Sequence, residues 1–143
     1  LSAHRPGDRP MALDFRTIGL TALIETGGRV VVNPGTDAVP LPRPAVAALA
    51  QGDQWLPAWR DVALRDLLFD EANAVCSAIT DLSITYAGGG LTRVIVSVER
   101  SCFTEAANAS AMKQSLTQAL SHVGANRRLI ASADRVEIAP ILV

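Results

Sequence analysis

The chain has 143 residues, 49% apolar, 19% charged and 4% aromatic, with a net charge of −1. That composition excludes a disordered chain. The near-neutral balance and scarce aromatic rings exclude the basic, base-stacking surface that nucleic acid or anionic lipid requires.

The length fits one domain with a core of its own. Cys76 and Cys102 are too few for a disulfide framework and read as buried thiols in a reducing compartment. No apolar run reaches the ~18–20 residues of a membrane span. The first residues lack a signal peptide's apolar stretch, so a cytoplasmic protein without membrane contact is expected. Every basic residue except Lys113 is arginine, which together with heavy alanine usage suggests a bacterial source.

Residues 1–12 contain Pro6, Gly7 and Pro10 and are expected to form a flexible arm ahead of a single domain over 13–143. Residues 17–25 alternate, with Ile18, Leu20, Ala22 and Ile24 on one face and Thr17, Thr21 and Glu25 on the other, which predicts a half-buried strand. Thr26-Gly27-Gly28 supplies a tight turn, and 29–32 a returning strand. Residues 33–44 read as a loop. A short helix over 45–50 is closed by Gly52.

The first long helix is expected over 57–79. Leu64, Leu68, Val75 and Ile79 form its apolar stripe, with Leu67 and Ala72 beside them. Residues 82–87 and 91–99 form a second hairpin around Gly88-Gly89-Gly90. Leu82, Ile84 and Tyr86 share one face of it, as do Val94, Val96 and Val98. A second long helix runs over 104–123, with Thr104 as N-cap and Gly124 as its stop. Its stripe of Met112, Leu116, Ala119, Leu120 and Val123 should pack on the three valines. Strands at 128–133 and 135–138 complete an α+β fold: a single antiparallel or mixed sheet with two long amphipathic helices on one face, ferredoxin-like or a related α/β sandwich.

No catalytic, metal or cofactor set emerges. Cys102 sits just before a helix, where a thiol pKa is lowered. Its base would have to be His4, in the arm, or His122, about 30 Å further along the predicted helix. Two histidines and two isolated cysteines make no zinc cluster. Asp66 and Asp70 read as a solvated helix face, with Asp61 and Arg65 paired at i, i+4. The triple glycine matches neither phosphate-binding spacing.

Ile24-Glu25-Thr26-Gly27-Gly28-Arg29-Val30-Val31-Val32-Asn33-Pro34-Gly35 resembles the opening hairpin of metallo-β-lactamase-type hydrolases. The metal motif of that family is absent, so no such activity follows. Arg5-Pro6-Gly7-Asp8-Arg9-Pro10 with Asp14-Phe15, and Ala63-Leu64-Arg65-Asp66-Leu67-Leu68-Phe69, resemble stretches of the baseplate-wedge proteins of contractile phage tails and type VI secretion systems. Some fifty residues separate the two pieces here, and the Glu-Pro-Arg signature of the family is missing.

With helices on one side, the other sheet face would carry Thr17, Thr21, Ser83, Thr85, Arg93, Ser97 and Glu137, interspersed with Leu23, Ile95 and Ile130. That face is too polar for a core and too apolar for idle surface. The candidate interface or ligand residues are Thr21, Thr85, Arg93, Ile95 and Ser97 on the face, with Trp55 and Trp59 at the start of the first long helix. The expected function is a non-enzymatic, self-associating assembly or binding module of a bacterial or phage-type system. A homo-oligomer, first of all a dimer, is expected, with a protein assembly partner as a further possibility. The alternative is a small-molecule-binding or enzymatic ferredoxin-like domain with its site between sheet face and loops.

Overall fold

A computed structural model describes residues 12–33, 38–104 and 106–143, the side chains of 106–108 excepted. The protein is mixed α+β, and its contacts divide it into two compact units, residues 1–55 and 56–143. The expected single sheet is instead two: a two-stranded sheet in the first unit and a three-stranded sheet in the second. Of the expected N-terminal arm, all but Ala12 lies outside the described residues.

The first unit contains helix α1 (Phe15–Glu25), strands β1 (Val30–Val32) and β2 (Val39–Leu41), and helix α2 (Arg43–Gln51). Residues 17–25 are therefore helical, not extended. Two local effects outweigh the alternation. The Asp14 carboxylate caps the helix, accepting from the Thr17 amide at 2.8 Å and the Thr17 hydroxyl at 2.9 Å. Gly19 and Ala22 form a small-residue face at i, i+3, and a Cβ on Gly19 would stand 3.0 Å from the Ala50 amide nitrogen, so α1 and α2 pack backbone to backbone. The helix ends where Gly27 (φ 64°) and Gly28 (φ 84°) turn the chain into β1. β1 pairs antiparallel with β2, a strand inside the expected loop. Gly52 closes α2 as expected: at φ 80° it is left-handed, and the amides of Gly52 and Asp53 return to the carbonyls of Leu49 and Ala48.

The Asp14 cap sets a pH dependence. The amide and hydroxyl of Thr17 hold its carboxyl below the ordinary carboxylate range. A folded pKa below the unfolded value of about 3.9 means that the cap's stabilisation is present above that value and disappears as pH falls through the folded one. The Thr17 amide resonance should move on acidification below the ordinary range. It should stay still in Asp14→Asn, which keeps the cap without the titration. A Thr17 amide that does not respond in the wild-type chain would remove the cap from the account.

The second unit runs helix α3 (Val62–Val75), strands β3 (Ile79–Gly88) and β4 (Leu91–Val98), helices α4 (Ala106–Ala125) and α5 (Arg127–Ser132), and strand β5 (Arg135–Leu142). One 3-10 turn, Ala58–Arg60, precedes α3 and another, Arg100–Phe103, precedes α4. The first long helix is thus shorter than expected, starting after its cap Asp61 and ending before Cys76. Residues 128–133 are mostly helical, not extended, because the Asn126 side chain accepts from the amides of Arg128 and Leu129. α4 continues through Gly124, which does not stop it; a Cβ there would stand 3.2 Å from the Ile138 side chain. Thr104 closes the 3-10 turn by donating its hydroxyl to the Ser101 carbonyl, and Glu105, which follows it, lies outside the described residues.

The second hairpin is as expected. β3 and β4 are antiparallel around Gly89 and Gly90, both at positive φ, the geometry of a two-residue hairpin loop. Thr92, Val94, Val96 and Val98 are buried on one face of β4, and Leu82 and Ile84 oppose them from β3. Leu64, Leu68 and Ala72 of α3, Ala119 and Val123 of α4, and Leu129 of α5 join them in one cluster. Met112, Leu116 and Leu120 pack half-buried against it, so α4 turns the expected stripe inward. Leu67, expected beside the α3 stripe, is exposed.

β5 lies beside β4 and parallel to it, in register from Leu91↔Arg135 to Val98↔Leu142. The amide and carbonyl of Val143 both bond to the β4 side, to Val98 O and Arg100 N, and the Arg135 amide reaches Gly90 O. Parallel pairing alternates along a strand. The backbone groups of Val136, Ile138, Pro140 and Leu142 therefore point to the outer edge, where Pro140 has no amide to offer.

Candidate functional site

All three helices of the second unit contribute to the cluster on one side of its sheet. The opposite face is made of residues alternating with the buried ones: Ser83 and Thr85 on β3, Arg93, Ile95 and Ser97 on β4, Glu137 and Ala139 on β5. The register sets them in rows. Thr85, Arg93 and Glu137 form one, Ser83, Ile95 and Ala139 the next, and Asp81, Ser97 and Ile141 a third. The structure thus brings together Thr85, Arg93, Ile95 and Ser97 of the expected set. Arg93, Ile95 and Ser97 are half-buried and Thr85 is exposed.

Arg93 and Glu137 on this face pair with each other, whereas Asp81 makes no ion pair with any described residue. The Arg93 guanidinium donates to Glu137 Oε2 from Nε at 2.9 Å and stands 2.9 Å from it through a terminal nitrogen. The cross-strand neighbour Thr85 directs its hydroxyl to the Arg93 carbonyl. Glu99, at the end of β4, accepts from the Ser101 hydroxyl at 2.7 Å. On the covered face, the Thr92 hydroxyl is fully buried and has no hydrogen-bond partner among the described residues.

Other expected members lie elsewhere. Thr21 is on the exposed side of α1 in the first unit, with Thr17 and Leu23 on the same helix, and Ile130 is on α5. The two tryptophans do not share a helix turn, because α3 starts after both. Trp55 is in the irregular segment that ends the first unit. Trp59 is in the 3-10 turn of the second and stacks on Tyr86, with ring centroids 4.7 Å apart and planes at 35°.

The thiols sit in plain packing environments. Cys76 is buried with its sulfur 3.7 Å from the Met112 sulfur. Cys102 is half-buried in the turn before α4, 4.0 Å from a Glu99 carboxylate oxygen. About 24 Å of α4 lies between Ala106 and His122, so that histidine is no base for Cys102. Among the described residues no group of three or more His, Cys, Asp and Glu side chains is placed to hold a metal ion. Asp66 pairs with its neighbour Arg65 at 2.7 Å, whereas Asp61, expected to pair with Arg65, holds Arg128 at 2.8 Å.

Sequence reasoning missed two hollows of the first unit. One, of about 310 Å³, is lined by Leu13, Ile18, Thr21, Ala22, Glu25, Thr26, Arg29 and Val30. The other, of about 450 Å³, lies against α2 between Leu41, Ala45 and Leu49 on one side and Asp53, Gln54 and Trp55 on the other. It also missed the exposed apolar side of α1, where Leu20 and Ile24 face outward. Reading α1 as a strand put both in a core. Among the described residues no helix is long and apolar enough to cross a membrane.

No protein-family model matches the chain, and neither a curated protein nor a solved structure matches it.

Proposed function

We propose that the protein is a non-enzymatic assembly module that associates with a second copy of itself through the uncovered sheet face of its second unit. The observation that carries this reading is the row Ser83–Ile95–Ala139 beside an Arg93–Glu137 pair closed within the same sheet. Arg93 and Glu137 are already paired with each other, so covering them strands neither ion, and Asp81, in an end row, can stay hydrated at the rim. The face's remaining side chains are the small polar and apolar kinds that pack against a like surface. At the β5 edge the competing route, strand-to-strand pairing, is interrupted by Pro140. Two-fold symmetry is the commonest way to cover such a face.

The helices gathered on one side of the sheet support a ferredoxin-related reading of this unit. The stretch from Ala63 to Phe69, on α3, supports placing it among bacterial or phage-type assemblies, and the free thiols fit a cytoplasmic setting.

Light scattering tests the reading. At tens of micromolar the wild-type chain should have twice its 15.1 kDa mass. Thr85→Arg, which sets unpaired cations against each other across the axis, should return it to monomer. Arg93→Ala, which leaves the Glu137 carboxylate without its partner on the face the second copy covers, should also weaken association. A monomeric wild-type chain overturns the proposal.

A further inference from the structure

The hollow against α2 combines three features that converge on one ligand class. Leu41, Ala45 and Leu49 line it with aliphatic carbon, and Trp55 adds an aromatic ring. Its rim carries Asp53, an exposed carboxylate that makes no ion pair with any described residue. Asp53 directly follows the C-terminus of the nine-residue α2, its amide tied back to Ala48 O at 2.8 Å. That end carries the negative pole of the helix, which adds to the carboxylate's field. A carboxylate and a helix C-terminus both favour positive charge, and the aliphatic and indole lining favours a short hydrocarbon. An anion would meet repulsion from both the carboxylate and the helix C-terminus.

We infer that this hollow of the first unit is a binding site for a small organic cation with an apolar chain, an alkylammonium compound. All six lining residues belong to the first unit, whereas the proposed association face belongs to the second.

The probe is hexyltrimethylammonium chloride, with hexane-1-sulfonate and hexan-1-ol as controls of equal chain length. Each is titrated into the full chain and followed by amide and indole resonances. The cation should saturate, with shifts centred on residues 41–55 and on the Trp55 indole. The sulfonate should not bind, and the alcohol should bind more weakly than the cation. Asp53 is exposed, so Asp53→Asn leaves the fold intact. It should weaken the cation about three- to fivefold, the value of a single exposed charge pair, and leave the alcohol unchanged. Equal binding of cation and sulfonate, shifts centred outside 41–55, or an unchanged cation affinity in Asp53→Asn would each overturn the assignment.

Discussion

Replacing Leu68 by alanine is expected to destabilise the second unit by about 2–5 kcal/mol, among the largest effects of any single truncation in the chain. Leu68 is 0% exposed, midway along the buried α3 stripe between Leu64 and Ala72, in the same cluster as Leu82 and Val96. The change removes buried methyl groups and leaves a cavity that rigid strands on one side cannot close. Leu67, the next residue on the same helix, is the built-in control. It is 38% exposed, and its truncation should cost well under half as much. Urea titration should show the Leu68→Ala midpoint displaced with an unchanged slope. Equal costs at the two positions would mean that the helix presents a different face to the sheet.

Asp61→Ala should be the most damaging change of a charged residue, at about 2–3 kcal/mol. Asp61 does two things at once while only 8% exposed. One carboxylate oxygen accepts from the Leu64 amide at 3.0 Å and caps α3, which contributes about 1 kcal/mol. Both oxygens accept from Arg128, at 2.8 and 3.0 Å, fastening the start of α3 to α5. The Arg128 side chain is half exposed, so solvent screening keeps its share near 1 kcal/mol. Asp61→Asn should recover only the cap's share, about 1 kcal/mol, since the amide oxygen still caps but the charge pair is gone. Arg128→Ala should cost less than Asp61→Ala, because it leaves the cap in place. If Arg128→Ala proved the more costly, the ion pair and not the cap would dominate this corner.

The second unit was legible where one periodicity stood alone. β4 alternates without interruption, and the glycine run can only be a turn. Leu64, Leu68 and Ala72 repeat at i, i+4, i+8, and a strand would set Asp66 and Asp70 on the same face as them, which a helix does not. The misreadings share a cause. Ile18 to Ile24 satisfies the strand period, yet Ile18, Gly19 and Ala22 satisfy the helical one, and the competing signals are of equal length. What decides between them is a side-chain cap from Asp14 and the room that Gly19 leaves for Ala50. The second is a contact between residues 31 positions apart in sequence, invisible to any local window. The 127–132 helix failed in the same way, with Asn126 as the unrecognised cap. Of the candidate face, the four positions on β3 and β4 were legible because a strand's two faces are implied by its alternation. Thr21 fell away with the strand that was to carry it. The hollow against α2 had no linear signature, since Leu41 and Trp55 meet only through the turn after Gly52.

Pro140 bears on how the chain survives its own folding. An exposed parallel edge bearing Val136, Ile138 and Leu142 is the kind of segment that templates cross-β stacking when chains meet before folding is complete. Successive outward donors on such an edge are normally about 6.6 Å apart. With Pro140 between them, those of Ile138 and Leu142 are about 13 Å apart, so an incoming strand would have an acceptor left unanswered midway. The strand keeps its full ladder with β4, because every group it needs inward belongs to the other set of residues. A single imino acid thus lets the sheet complete itself while making its last strand a poor seed for fibres.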